Sequence, residues 1–122
     1  MIANMATVAI YVEDQQRART FWTDKVGFEL VSDIPLGGGL RWLEVAPQGA
    51  GTALVIYPKS RMSNWAELKP SIVFACSDIR QTYARMKERG VVFEGEPQEL
   101  DWGVYATFRD EDGNAFLLKE QA

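Results

Sequence analysis

Apolar runs and amphipathic stretches alternate along this chain in an order that occurs twice. Residues 6–12 (ATVAIYV) are an apolar run bounded by Glu13 and Asp14, the pattern of a short buried strand. Asp14 is placed to cap a helix, its carboxylate accepting from the first free amides. Ala18, Phe21, Trp22 and Val26 follow at helical spacing and make one apolar stripe, and Gly27 supplies a left-handed residue to end it. Residues 28–32 read as a second strand and 33–39 (DIPLGGG) as a mobile loop punctuated by Pro and Gly. A third strand at 40–46, a turn at 47–51 and a fourth strand at 52–57 complete a β-α-β-β-β unit.

The same order restarts after a polar, proline-bracketed linker (58–70, PKSRMSNWAELKP). Residues 71–76 are again an apolar strand and Asp78 again a cap. Ile79, Thr82, Tyr83 and Met86 form the second stripe, and Gly90 stops it. Strands are expected at 91–94, 104–109 and 115–119, with a loop at 95–102 and a tight turn at 110–114 (DEDGN). Thr7 falls on Ser71, Asp14 on Asp78 and Gly39 on Gly103, an offset of 64 that slips to 63 where Gly27 meets Gly90. The expected fold is α+β: two tandem βαβββ modules, about 5–57 and 70–120, joined by a linker at 58–69 within a single domain. One module leaves a sheet face without a partner. The two modules are therefore expected to form a curved, cup-like mixed sheet with the helices outside.

Composition narrows what such a fold does. A chain of 122 residues, 47% hydrophobic and 25% charged, is long enough to bury a core. A formal charge of −4 argues against nucleic acid, which requires a basic face. The single cysteine, Cys76, cannot form an internal disulfide and reads as a small buried hydrophobe. The apolar run near the start is too short to span a bilayer and lacks a basic flank, so the expected location is cytoplasmic and no membrane partner is expected.

The segments TVAIYVED, FWTDKVGFEL, GLRWLEVAP, IVFACSDI and RDEDGNAFLLKE, in that order and spacing, resemble the vicinal oxygen chelate superfamily, which includes glyoxalase I, extradiol dioxygenases and bleomycin-resistance proteins. The resemblance implies a homodimer, and in metal-using members it implies four ligands, typically His or Gln, Glu, His and Glu, on the first and last strands of the two modules. Here those positions hold Thr7, Ala53, Ser71 and Leu117, and the chain contains no histidine. Two hydroxyls, a methyl and an isobutyl group do not make a divalent-ion site, so neither a metal nor another cofactor is expected.

If Thr7 and Ser71 point into the cup, alternation sends Ala9, Tyr11, Val73 and Ala75 there too, followed by Val55 and Tyr57 from the fourth strand. Leu43 and Val45 look like core, which turns Trp42 and Glu44 inward. Trp102, at a strand mouth after an acidic loop, is the leading ligand candidate; its ring can stack on a planar group. Trp22 lies on the helical stripe and reads as core, and Trp65 as a junction or dimer contact in the linker. The expected ligand-binding set is Trp102, Trp42, Tyr57, Tyr11, Glu44, Thr7 and Ser71, with no catalytic residue. The function it implies is sequestration or sensing of a planar aromatic small molecule, either neutral or cationic, the acidic net charge being compatible with a cation. The rival is acid–base catalysis without metal by Glu44, Glu99, Asp101 or Tyr57, and a third reading is an interaction module with a vestigial pocket.

Overall fold

The computed structural model describes residues 1–121, and its elements follow the order of the hydrophobic pattern. They are β1 (Thr7–Val12), α1 (Gln15–Thr20) continued by a π-helical turn (Phe21–Val26), β2 (Glu29–Gly37), β3 (Leu40–Ala46), β4 (Ala53–Pro58), two 3-10 turns (Lys59–Arg61 and Trp65–Glu67), β5 (Val73–Cys76), α2 (Ile79–Glu88), β6 (Val92–Phe93), β7 (Gln98–Leu100), β8 (Gly103–Arg109) and β9 (Ala115–Glu120). The chain divides into two compact units, Met1–Lys69 and the segment from Pro70 onward, each built on its own mixed sheet. Among the described residues no helix is long and apolar enough to cross a membrane.

In the first unit the strands lie in the order β1-β4-β3-β2, with β1 parallel to β4 and the other pairs antiparallel. Asp14 caps α1 as its position predicts, accepting from the Arg17 amide at 3.1 Å. The interval from Asp14 to Gly27 is one residue longer than that from Asp78 to Gly90. The π-helical turn takes up this extra residue: the Trp22 carbonyl accepts from the amides of both Gly27 and Phe28. Trp22 is thereby set in the core, with Phe21 and Phe28 at ring-centroid distances of 5.3 and 5.2 Å. Ile10, Val12, Leu43, Val45 and Ile56 are buried completely with it. Gln15 is the polar member of this core, 7% exposed. Its side-chain amide donates to the carbonyls of Arg41 and Ile56, each at 2.8 Å, and its oxygen accepts from the Arg41 amide at 3.1 Å. The first turn of α1 is thus fastened to two strands at once.

Residues 33–37, expected as loop, are strand. Asp33 accepts from Arg19 at 2.6 Å and from the Arg41 guanidinium through both carboxylate oxygens, which pins β2 to its neighbours. Pro35 is tolerated because β2 is an edge strand, where a missing amide breaks no second ladder. The Arg41 hydrogen bonds hold the Asp33 carboxyl below the usual carboxylate range, with Arg19 adding to the effect. A lowered folded-state pKa contributes stability above the unfolded value, about 3.9, that is lost as pH falls through the folded value. Asp33→Asn is therefore expected to be about 1–3 kcal/mol less stable than wild type near neutrality. That gap should close below about pH 4. Urea melts at pH 7 and pH 3 check this, and a gap unchanged between them contradicts the assignment.

The second unit has the order β5-β9-β8-β6, with β7 pairing alongside β8 and β5 parallel to β9. Asp78 caps α2 through the Gln81 amide at 3.1 Å. Phe74, Phe93, Phe108 and Phe116 form its aromatic core, joined by Tyr83 against Phe93 at 4.7 Å. Cys76 is half-buried rather than buried, and desolvation pushes its thiol pKa up. The expected loop at 95–102 contains the short strand β7, and the DEDGN turn is closed by the buried Asp110, which accepts from the amides of Asp112 and Asn114.

The strand registers correct one equivalence. Thr7 pairs with Ala53 and Ala9 with Val55, whereas Leu117 pairs with Val73. Because Asp14 and Asp78 keep β1 and β5 in step, the counterpart of Leu117 is Val55, an offset of 62, and Ala53 answers to Ala115. The first-module position aligned with Leu117 is therefore Val55 rather than Ala53. Ser71 lies just before β5, not within it.

Candidate functional site

Alternation in the first sheet sends Ile10, Val12, Leu43 and Val45 into the core, so the intervening side chains share the opposite, open face. Register places them in rows. Ser32, Glu44, Val55 and Ala9 form one row through successive cross-strand pairs. One pleat along, Ile34 pairs with Trp42 and Tyr57 with Tyr11, and continuing the Glu44–Val55 register brings Trp42 beside Tyr57. Tyr11 and Tyr57 meet edge to face, 6.4 Å between centroids. The Trp42 indole nitrogen donates to the Glu44 carboxylate at 2.6 Å. Five of the seven residues expected to bind ligand, Thr7, Tyr11, Trp42, Glu44 and Tyr57, lie on this face, with Thr7 at its exposed end beside Ala53.

Trp102 and Ser71 belong to the second unit. Trp102, 68% exposed, stands at the edge of a concavity of about 580 Å³ lined by Val73, Leu100, Tyr105, Thr107 and Leu117. Glu94, Glu96, Gln98 and Ala106 complete the lining. Glu94 is paired with Arg109 at 3.1 Å, and Lys119 lies 5.8 Å from the Tyr105 ring. Gly103 has φ 136°, a backbone conformation that residues with a Cβ rarely adopt, so glycine is what turns the chain at this strand mouth. Ser71 lines a smaller neighbouring hollow of about 210 Å³ with Thr107 and Leu117. Glu99 and Asp101 are exposed and do not line the larger concavity. Tyr105, Leu100, Glu94 and Glu96 were not among the sequence candidates. Their signal is the period-2 spacing of 94, 96, 98, 100 and 102, with Tyr105 two residues from Thr107.

The chemistry of the positions implied for a metal does not fit one. Thr7 offers a hydroxyl and Val55, opposite Ala9, an alkyl group; Leu117 is alkyl as well, and Ser71 precedes its strand. Among the described residues no three His, Cys, Asp or Glu side chains gather in a way that can hold an ion.

Two units that share a strand–helix–strands order, βαβββ in the first and the same with the added short strand β7 in the second, define a class of α+β protein built from a repeated module. Residues 4–118 match the family model of the Glyoxalase/Bleomycin resistance protein/Dioxygenase superfamily, and the chain belongs to that family. It is 58% identical to YetH of Bacillus subtilis (strain 168), over 98% of this chain and 100% of that protein. Among solved structures it is similar to a superfamily member from Sphaerobacter thermophilus DSM 20745, at 34% identity and TM-score 0.88 over 98% of each chain. It is likewise similar to TnmS3, an antibiotic binding protein from Streptomyces sp. CB03234, at 34% identity and TM-score 0.84 over 99% of this chain and 98% of that one.

Proposed function

We propose that this protein binds a planar aromatic small molecule without a metal ion, as a homodimer, and that its output is sequestration or sensing rather than turnover. The observation that carries the reading is the lining of the second unit's concavity. Trp102 and Tyr105 supply stacking surfaces, Val73, Leu100 and Leu117 supply apolar contact, and only a few polar groups stand among them. The similarity to an antibiotic binding protein supports a small molecule as the ligand. The hydroxyl and alkyl groups at the family's ligand positions leave binding to burial and stacking. The edge strand β2 exposes Leu30, Val31, Ile34 and Leu36 together, which favours a second copy of the chain as partner.

Acridine, a planar and uncharged probe at pH 8, tests this reading. It should quench tryptophan fluorescence saturably, and Trp102→Ala should weaken its affinity several-fold, since an aromatic stack contributes about 0.5–1.5 kcal/mol. Thermal stability of that variant should stay close to wild type because Trp102 is largely exposed. The same sample should sediment as a dimer at micromolar concentration and carry no stoichiometric transition metal by elemental analysis. No saturable quenching removes the binding reading, a monomer removes the dimer, and one tightly held ion per chain removes the metal-free state.

A further inference from the structure

The floor of the second unit's concavity ends in a row of polar tips. Strand pairing sets Gln98 opposite Tyr105, Tyr105 opposite Lys119 and Lys119 opposite Ala75. Because Ala106, Phe108, Phe116 and Leu118 fill the core side, the first three stand side by side on the open face. Lys119 is half-buried there, its ammonium 5.8 Å from the centre of the Tyr105 ring. Its Cε and the Tyr105 ring both lie over Gly103, 3.6 and 3.4 Å from where a side chain at that position would begin. The lysine stem therefore reaches the strand mouth at which Trp102 stands.

Among the described residues no carboxylate is paired with Lys119. Glu120, next in the chain, accepts from the Ile79 amide at 3.0 Å, and Glu99 lies opposite Val104 on the other face. The acids of the lining stand toward the β6 end. Glu94 is held on the Thr107 row by its amide, one pleat from Tyr105, and its carboxylate is taken by Arg109 at 3.1 Å. Glu96 precedes Gln98 by two residues, toward that same end. The concavity is thus dipolar, with acids at one end and an uncompensated ammonium at the other. A half-buried ammonium has given up part of its hydration without a counter-charge. Beside it, the Tyr105 hydroxyl and the Gln98 amide are further hydrogen-bond donors.

We infer that Lys119 is a specificity-determining residue: with Tyr105 and Gln98 it selects, among planar aromatic ligands, those that carry an anionic oxygen, a carboxylate or phenolate, at the ring edge. The inference rests on the aromatic-ligand reading above and adds the sign of the ligand's charge and its orientation. The ring stacks on Trp102 and Tyr105, the anionic edge turns to Lys119, and the uncharged edge faces Glu94 and Glu96. The net charge of −4 acts at long range and is screened beyond about 8 Å at physiological salt, so the nearest group decides.

The test compares two probes of equal shape, acridine-9-carboxylate and acridine-9-carboxamide, by calorimetry at pH 8 with wild type, Lys119→Met and Lys119→Arg. Wild type should bind the carboxylate about fivefold more tightly than the amide, since hydrogen bonds to an ion exceed those to a neutral group. Lys119→Met keeps the length of the stem but not the charge, so its preference should fall to about one through lost carboxylate affinity. Lys119→Arg restores the charge and should restore the preference. Glu96→Gln removes a repulsion and should tighten carboxylate binding. In wild type the preference should shrink as salt rises from about 50 to 500 mM. Equal binding of the two probes by wild type, or a preference untouched in Lys119→Met, overturns the inference and leaves the aromatic-ligand reading standing. Failure of acridine and of both derivatives to bind wild type overturns the two together.

Discussion

Trp22→Ala is expected to lower the stability of the protein by about 3–5 kcal/mol, the range for deleting a fully buried aromatic. The indole is completely buried, wedged between Phe21 and Phe28 in the core of the first unit. Truncation leaves a hole that the neighbours cannot close by small movements, because the π-helical turn fixes the backbone on either side through the Trp22 carbonyl. Urea denaturation by circular dichroism measures the loss, and Trp102→Ala in parallel should change stability by less than about 0.5 kcal/mol. A loss of under 1 kcal/mol for Trp22→Ala would mean that the stripe on α1 does not carry the first unit.

Gln15→Leu should be nearly as damaging, at about 2–4 kcal/mol, although it replaces a polar residue in a core with an apolar one of similar size. Three backbone groups depend on that side chain, the amide and carbonyl of Arg41 and the carbonyl of Ile56. Leucine leaves them without the side-chain partner in a site from which water is largely excluded, and each unmet group costs about 1–3 kcal/mol. The exposed neighbour provides the contrast: Gln16→Leu removes only a surface hydrogen bond from Arg41 and should cost less than about 1 kcal/mol. Equal effects at the two positions would mean that the β3 and β4 ends are held by the ladder alone.

Neither of these partners of Gln15 lies near it in the chain, and that is why its role was illegible in the sequence while that of Trp22 was plain. Helical spacing put Trp22 on the buried stripe, and Asp14 and Asp78 announced both helix starts. Alternation from Leu43 and Val45 placed Trp42 and Glu44 on the open face. The segment 33–37 went the other way. Its proline and glycine argued locally for a loop, and the ion pairs that make it a strand come from Arg19 and Arg41. The Trp42–Glu44 bond needed only that i, i+2 side chains share a face. The Trp102 concavity needed a strand, β7, too short and polar to stand out.

The slide of the last strand against the first has a bearing on how this duplication can be engineered. No single ruler maps one half onto the other. First strands and caps correspond at 64 residues, helix ends at 63, and final strands at 62. Anyone transplanting a ligand set between halves with one fixed offset would land two residues away on the final strand, on the correct face but about 7 Å out of line. Coordination chemistry tolerates tenths of an ångström, so such a graft at Ala53 would fail where the same substitution at Val55 sits opposite Ala9, as Leu117 sits opposite Val73.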